Sequence, residues 1–261
     1  MTTSIKTSPR ERKLGFRILF LGMFAIGTGQ TLFIAVLPPY ARGLGLSEVQ
    51  VGFIFSLSAL GWMLMSPYWG KKSDFIGRKS IIILGLIIYA FTTILMGLEF
   101  RLMESGYINL STLFGLLILT RGCYGFLGSG AHSASMAYVA DRTTEKERSG
   151  IMAVMGSAFA ISGIVGPGLA SAAVMLGPLV PYFLFGSITA FIALLIFIFL
   201  PEKTKPIRPA KVHEARLTPY DSRVIAFALM GLCISQTLSL IHISEPTRQE
   251  AISYAVLCLK K

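Results

Sequence analysis

Six apolar stretches alternate with short charged segments along the N-terminal three quarters of the chain. Each is about 18–25 residues long, the length that an α-helix needs to cross a hydrocarbon core of about 30 Å. The apolar positions surround each stretch instead of forming one stripe, and a helix satisfies every backbone group within its own segment. The predicted spans are residues 18–38, 51–68, 80–98, 113–133, 150–176 and 182–200.

The composition supports a protein that folds in lipid. Hydrophobic residues make up 53% of the chain and charged residues 14%, whereas soluble domains contain about 25% charged residues. A water-soluble fold has no place for so much apolar surface. We therefore predict an all-α membrane protein in which residues 18–200 form a six-helix transmembrane bundle.

Lysine and arginine are distributed unequally between the two sides of the predicted spans. The segments before span 1, between spans 2 and 3, between spans 4 and 5, and after span 6 hold five, four, three and six of them, eighteen in all. The loops on the other side hold two, Arg42 and Arg101. The positive-inside rule then predicts a cytoplasmic N-terminus in an inner or plasma membrane. The net charge of +11 therefore indicates topology and not nucleic-acid binding, which would place basic residues on one soluble face.

The remaining segments follow from this topology. Residues 1–17 are the predicted cytoplasmic N-terminus, and residues 201–222, rich in Pro, Lys and Arg, are a predicted cytoplasmic linker. Residues 223–237 are predicted to start a seventh helix. The tail at 238–261 is too polar to complete that helix and resembles a translated sequencing adapter. We expect the natural sequence to differ after about residue 237 and to continue with about five further helices.

The most informative motif is the basic loop between spans 2 and 3, with the sequence GKKSDFIGRK at residues 70–79. Its two glycines allow a tight turn. Asp74 can accept hydrogen bonds or face the positive end of a helix, and Arg78 can pair with a carboxylate in bidentate fashion. Asp141, which follows span 4, is a candidate partner for Arg78 because both lie on the predicted cytoplasmic side.

Span 4 contains an arginine at membrane depth. An ionisable residue inside a membrane helix is costly to bury and is a candidate functional group. Helical spacing predicts that Arg121, Gly125, Gly128 and His132 lie on one stripe, where the glycines permit close helix packing. Arg121 either faces a cavity or a neighbouring helix as a functional charge, or is a structural residue satisfied by backbone carbonyls.

Spans 1 and 5 hold further candidates. Gln30 is a polar residue of span 1 that either contacts substrate in a cavity or packs between helices. Span 5 contains GIVGPG at residues 163–168, in which Gly163 and Gly166 permit close packing and Pro167 should bend the helix. No acidic residue lies in the middle of spans 1–6. Coupling to protons would therefore use Arg121 or an acid in an absent half, or there is no proton coupling.

Taken in this order, the motifs resemble those of the major facilitator superfamily. The 70–79 loop resembles Gly-x-Leu-Ala-Asp-Arg-x-Gly-Arg-Lys and departs from it at Lys72 and Phe75. Arg121, four residues before Gly125, resembles the family's helix-4 motif. The span-5 motif partly matches Gly-x-x-x-Gly-Pro-x-x-Gly-Gly, which is typical of the drug/proton antiporter branch.

The resemblance implies roles for the candidate residues. The loop and Asp141 would form a conformational latch that holds the two halves of the transporter in the outward-facing state, and its residues are Gly70, Asp74, Gly77, Arg78, Lys79 and Asp141. Arg121 and Gln30 would serve coupling or the cavity. The helix-packing residues would be Gly125, Gly128, Gly163, Gly166 and Pro167. The family fold also implies a 3+3 helix repeat and a second, C-terminal six-helix half.

The function that the resemblance implies is secondary active transport. The protein would export a small molecule, a drug-like compound or metabolite, in exchange for protons by alternating access. An uptake symporter or uniporter of the same fold, or an inactive truncated fragment, are the alternatives. We expect no enzyme activity, catalytic residue, cofactor or metal site, because the sequence contains no His-Glu-x-x-His motif, paired aspartates or Ser/His set, and its cysteines are scattered. The expected partners are the substrate, protons, the lipid bilayer and the missing half, with no nucleic acid.

Overall fold

The computed structural model describes residues 9–201, and every structural statement below concerns that range. The predicted seventh helix, the tail and nearly all of the linker lie outside the described residues. The described chain is helical almost throughout. Its helices are α1 (Pro9–Gly43), α2 (Glu48–Ile76), α3 (Arg78–Glu104), α4 (Leu110–Cys123), α5 (Gly130–Ala140), α6 (Glu145–Val174) and α7 (Val180–Phe199).

The described helices provide six potential membrane crossings. A π-helical turn at Tyr124–Gly128 joins α4 to α5, so that Leu110–Ala140 forms one crossing. Within residues 9–201, six helices are long and apolar enough to cross a membrane by length and composition, which confirms the predicted six-helix bundle. Most helices extend past the apolar stretches, since helical hydrogen bonding continues into the polar flanks. The N-terminal segment predicted to precede span 1 is already helical from Pro9 onwards.

Local sequence explains where several helices begin and end. At the start of α2, Ser47 Oγ accepts from the Gln50 amide and the Gln50 side chain accepts from the Ser47 amide, forming a capping box. The Asn109 side chain caps α4 by accepting from the Thr112 amide at 2.8 Å. The predicted basic loop is mostly the last turns of α2, because the helix continues to Ile76. The chain turns only at Gly77, whose φ of 109° is unfavourable for residues with a Cβ.

The packing of the crossings follows an internal pseudo-symmetry. Extensive contacts join α1 to α6, α3 to α7, and α2 to the crossing that contains α4 and α5, and α3 also packs extensively against that crossing. The crossings, numbered in chain order, are α1, α2, α3, α4 with α5, α6 and α7. If crossings 1, 2 and 3 are exchanged for crossings 4, 5 and 6, the contact of α1 with α6 becomes that of α2 with the α4–α5 crossing, and the contact of α3 with α7 is unchanged. Equivalent crossings run in opposite directions. This is the arrangement of an inverted three-plus-three helix repeat.

Two apolar clusters, one towards each end of the bundle, form the core. The first includes Leu19, Ile82 and Ile196, and the second includes Phe33 and Phe100. We call the end with the first cluster the Arg78 end and the other the Glu104 end. Many large apolar side chains instead lie on the outside of the helices. Such a surface is stable in lipid or against another protein but not in water.

We predict that Gly125→Ala destabilises the bundle, whereas Gly163→Ala does not. A Cβ at Gly125 would lie 2.5 Å from the Ser58 carbonyl oxygen on α2, so the two backbones would have to separate. The expected cost is about 1–3 kcal/mol. A Cβ at Gly163 would meet no atom within 4 Å. Thermal unfolding of the two purified variants in detergent measures the difference, and equal midpoints would contradict the close packing of α2 against this crossing.

Candidate functional site

Arg121 lies inside the bundle on α4 and is only 3% exposed. Its Nη2 donates a hydrogen bond to Gln30 Oε1 on α1 at 3.4 Å. The guanidinium carbon lies 4.1 Å from the centre of the Phe33 ring, also on α1. Because these contacts lie on a neighbouring helix, the arginine joins two crossings whose backbones are not among the closely packed pairs.

Gln30 completes a small polar network around this charge. Its Nε2 donates to Tyr124 Oη at 2.7 Å, and Tyr124 also places its ring centre 5.2 Å from the guanidinium carbon. Tyr89 on α3 packs edge-to-face against Tyr124, with their ring centres 5.2 Å apart. We call this set, Gln30, Phe33, Tyr89, Arg121 and Tyr124, the Arg121 cluster.

The electrostatics of the Arg121 cluster are unusual for a buried charge. Among residues 9–201, Arg121 forms no ion pair, and its Nε has no hydrogen-bond partner. Cation–π contact and one amide oxygen offset part of the desolvation cost. A cation held in this way retains unused hydrogen-bonding capacity and a positive field in a region of low dielectric, so it can attract a negative or polar group.

The predicted stripe on span 4 is wrong, since the residues face different neighbours. Arg121 faces α1, whereas Gly125 packs against Ser58 on α2. His132 lies between Trp62 of α2 and Phe159 of α6, with ring centres 6.0 and 5.1 Å away. The π-helical turn between Arg121 and His132 adds a residue to the turn and rotates the following helix. Such turns are frequent at functional sites.

A second polar constellation lies at the Arg78 end. Arg78 donates from Nε to Asp141 Oδ2 at 3.1 Å and pairs through Nη2 with Asp74, which lies four residues earlier in the last turn of α2. Its Nη1 donates to Ser73 Oγ at 2.5 Å and to the Gly70 carbonyl at 3.2 Å. The structure therefore brings together the ends of α2, α3 and α5 around one guanidinium. This geometry includes a contact between Arg78 and Asp141, the candidate partner that the sequence offers.

Of the remaining residues of the predicted latch, Gly77 forms the corner between α2 and α3. Lys79 lies on the adjacent turn, with Nζ 5.6 Å from the centre of the Phe197 ring on α7. Lys79 is therefore oriented towards a neighbouring helix and not towards the two carboxylates. Gly70 contributes its carbonyl to the contacts of Arg78.

The glycines proposed for helix packing separate into two groups. Gly125 touches α2, and Gly166 of α6 lies against Thr31 and Thr28 of α1. A Cβ at Gly128 would clash with the ring of Tyr124, in its own crossing. Gly163 and Pro167 lie on the outer face of α6, and neither packs between helices of the described bundle. Polar contacts also join α1 and α6 at this level, since Thr31 Oγ1 lies 3.3 Å from the Ser162 carbonyl.

One buried ionisable residue differs from the sequence prediction. Glu99, expected to lie just beyond span 3, is 2% exposed inside α3, and Thr120 of α4 donates a hydrogen bond to its Oε1. The predicted end of span 3 at residue 98 is therefore too early, since the helix continues to Glu104 and includes Glu99. The sequence signal for the burial of Glu99 was its position between Leu98 and Phe100 in an apolar run. In the described part of the chain, no group of three His, Cys, Asp or Glu is arranged to hold a metal ion.

Comparison with known proteins agrees with the motifs and the geometry. The Major Facilitator Superfamily model matches residues 19–254. Multidrug resistance protein 2 of Bacillus subtilis (strain 168) is 31% identical over 203 residues, covering 78% of this chain and 48% of that protein. Quinolone resistance protein NorA of Staphylococcus aureus (strain MSSA476) is 26% identical over 225 residues, covering 85% of this chain and 55% of that protein.

The chain spans about half the length of the curated relatives it matches. The family match covers all six potential crossings apart from the first residues of α1. On this evidence, the chain is part of a multi-pass membrane protein and belongs to the major facilitator superfamily.

Proposed function

We propose that this chain is the N-terminal half of a secondary active transporter that exports drug-like small molecules in exchange for protons by alternating access. The observation that carries the proposal is the buried charge of Arg121, which has a hydrogen-bonding amide and aromatic rings around it but no carboxylate partner among the described residues. A static structural arginine is normally fully paired when buried. The relatives named for multidrug and quinolone resistance support drug-like substrates and export.

The Arg121 cluster has the chemistry that a polyspecific transporter needs. Aromatic rings provide adaptable apolar contact with planar molecules, and the Gln30 amide can exchange donors and acceptors with a ligand. The guanidinium can bind the negative group of a substrate or respond to a carboxylate that changes its protonation state. Either event would break the present contacts of Arg121 and shift α1 relative to α4.

The outer surfaces of α2 and α6 support a second half as partner. Phe53 and Met63 on α2 and Ile164 on α6 are apolar and more than half exposed, and all three belong to helices that could cross the membrane. The second six-helix half would cover part of this surface and enclose a site between the halves, as repeat-built transporters do. With the basic Arg78 end in the cytoplasm, the topology follows the positive-inside rule.

The Arg78 constellation supports a conformational latch in the cytoplasmic ends of the helices. Arg78 is shared between the carboxylate of Asp74 on α2 and that of Asp141, which directly follows α5, so separating α2 and α3 from α5 would break a charged hydrogen bond. Opening of the cytoplasmic side would require such a movement. The network therefore favours one conformation of the transport cycle over the other.

The proposed function predicts that Arg121→Gln lowers proton-driven transport at least about tenfold, equivalent to about 1.4 kcal/mol. Gln retains a polar group that can reach Gln30 but removes the charge. The measurement is accumulation of a fluorescent quinolone in inside-out vesicles that contain the intact two-half transporter, after a proton gradient is imposed.

Arg101→Gln is the matched control for this experiment, because Arg101 is 70% exposed at the Glu104 end of the bundle. It should transport as the unmodified protein does. Equal transport by the Arg121→Gln and Arg101→Gln variants would exclude Arg121 from the mechanism. Absence of proton-driven quinolone accumulation in the unmodified protein, with substrate panels of other drug classes also negative, would contradict the proposed function.

The latch predicts that Asp74→Asn abolishes transport but leaves stability nearly unchanged. The Asp74 side chain is 42% exposed, so the loss of its ion pair should cost less than about 1 kcal/mol of unfolding free energy. Transport is lost because Arg78 no longer distinguishes the two conformations. Glu145→Gln, at an exposed position of the same end, is the control. Normal substrate flux in the Asp74→Asn variant would refute the latch.

A further inference from the structure

Glu99 is a buried carboxyl group outside the Arg121 cluster and the Arg78 constellation. The residue is 2% exposed and lies five residues before the end of α3. Thr120 Oγ1 on α4 donates to Oε1. Oε2 is buried and has no hydrogen-bond partner in the described part of the chain. One oxygen is therefore satisfied and the other is available.

No cation compensates Glu99 within the described bundle. None of the ion pairs among residues 9–201 includes it. On the helices packed against α3, the ionisable groups have other contacts: Arg121 binds Gln30, and Tyr40 donates to Glu104. The ionisable side chains of α3 and of the elements around it include Tyr40 and Arg42 on α1, Glu48 and Asp74 on α2, Arg78, Lys79, Tyr89, Arg101 and Glu104 on α3 itself, Arg121 on α4, Tyr124 in the π-helical turn, His132 and Tyr138 on α5, and Tyr182 on α7.

The surroundings impose a choice between two forms of the carboxyl group. A carboxylate in an apolar interior without a cation suffers a desolvation cost of several kcal/mol, which binding of one proton to Oε2 removes. The neutral acid requires only the Thr120 hydrogen bond that is present. Contact with water would remove the cost for the carboxylate as well. Exposure of Glu99 to water and loss of its proton are therefore thermodynamically linked.

Helix α4 connects this group to the Arg121 cluster. Thr120, which binds Glu99 on α3, directly precedes Arg121, which binds Gln30 and Phe33 on α1. One rigid turn of α4 thus makes polar contacts with α3 on one side and with α1 on the other, at the same level. The π-helical turn that begins at Tyr124 follows after two residues, and such turns are places where a helix can change register.

We propose that Glu99 is the group in this bundle that binds and releases the coupling proton, with Thr120 linking its protonation to the movement of α4 and Arg121. The proposal rests on the proposed function for its place in transport. A proton from one aqueous phase adds to a lone pair of Oε2 and neutralises the carboxylate. When α4 moves and water reaches the group, the same proton leaves to the other phase.

The direct test is infrared spectroscopy of the 261-residue chain in liposomes, with and without Glu99→Gln. The difference between the two spectra isolates the carboxyl group of Glu99. We expect a carboxylic-acid C=O band at about pH 7, where exposed carboxyls are ionised, and its replacement by carboxylate bands as the pH is raised. Glu48→Gln, whose side chain is 83% exposed, should lack that acid band in its own difference spectrum.

Two results of the spectroscopy would overturn the proposal. Only carboxylate bands at every pH would show that Glu99 does not hold a proton, and only an acid band at every pH would show that it does not release one. If Glu99→Gln does not fold, Thr120→Val provides the test. Loss of the hydrogen bond should shift the C=O band of Glu99, and an unshifted band would contradict the role of Thr120.

Transport by the intact protein separates this proposal from the proposed function. Glu99→Gln should lose quinolone accumulation driven by a proton gradient but retain quinolone counterflow, which needs no net proton movement. Accumulation equal to that of the unmodified protein would refute the coupling role. If the unmodified protein shows neither accumulation nor counterflow, the proposed function fails, whereas the spectroscopic titration of Glu99 is still decisive for proton binding.

Discussion

The burial of one positive charge without a carboxylate partner is the constraint on which the middle of the described bundle depends. A guanidinium in an apolar interior is stable only where rings and polar atoms replace its hydration. Phe33, Tyr124 and Gln30 meet that requirement from α1 and from the crossing that carries Arg121 itself. The charge therefore determines which side chains fill the space between these two crossings, and it leaves Arg121 with contacts weak enough to be exchanged.

The inverted repeat explains how this space arises. Crossings 1 and 4 are equivalent under the pseudo-symmetry, and each packs extensively against helices of the other repeat instead of against its equivalent. Their side chains consequently meet near the centre of the bundle, where Gln30 and Arg121 lie. At the same level of the membrane, Thr120 donates a hydrogen bond to Glu99 on α3. Two buried groups of opposite chemical character, Glu99 on α3 and Arg121 on α4, are thus connected through adjacent residues of α4.

Much of the fold and part of the site follow from the sequence. The apolar stretches predict the six crossings, since lipid requires continuous apolar length, and Arg121 is recognisable as a charge in such a stretch. The directions in which the side chains after Arg121 point could not be predicted from the sequence. The π-helical turn shifts the helical period, and no propensity rule locates such a turn. Glu99 was missed because a hydropathy boundary placed it outside span 3. The helix continues to Glu104 and keeps Glu99 inside the protein.

The claim that aromatic contact holds the Arg121 charge is tested most directly by a double-mutant cycle. Unfolding free energies would be measured in detergent for the chain, for Arg121→Met, for Phe33→Leu and for the double variant. The account predicts a coupling energy of about 2 kcal/mol, the strength of a desolvated cation–π contact. Additive effects, within about 0.5 kcal/mol, would contradict it and would require another group to stabilise the buried charge.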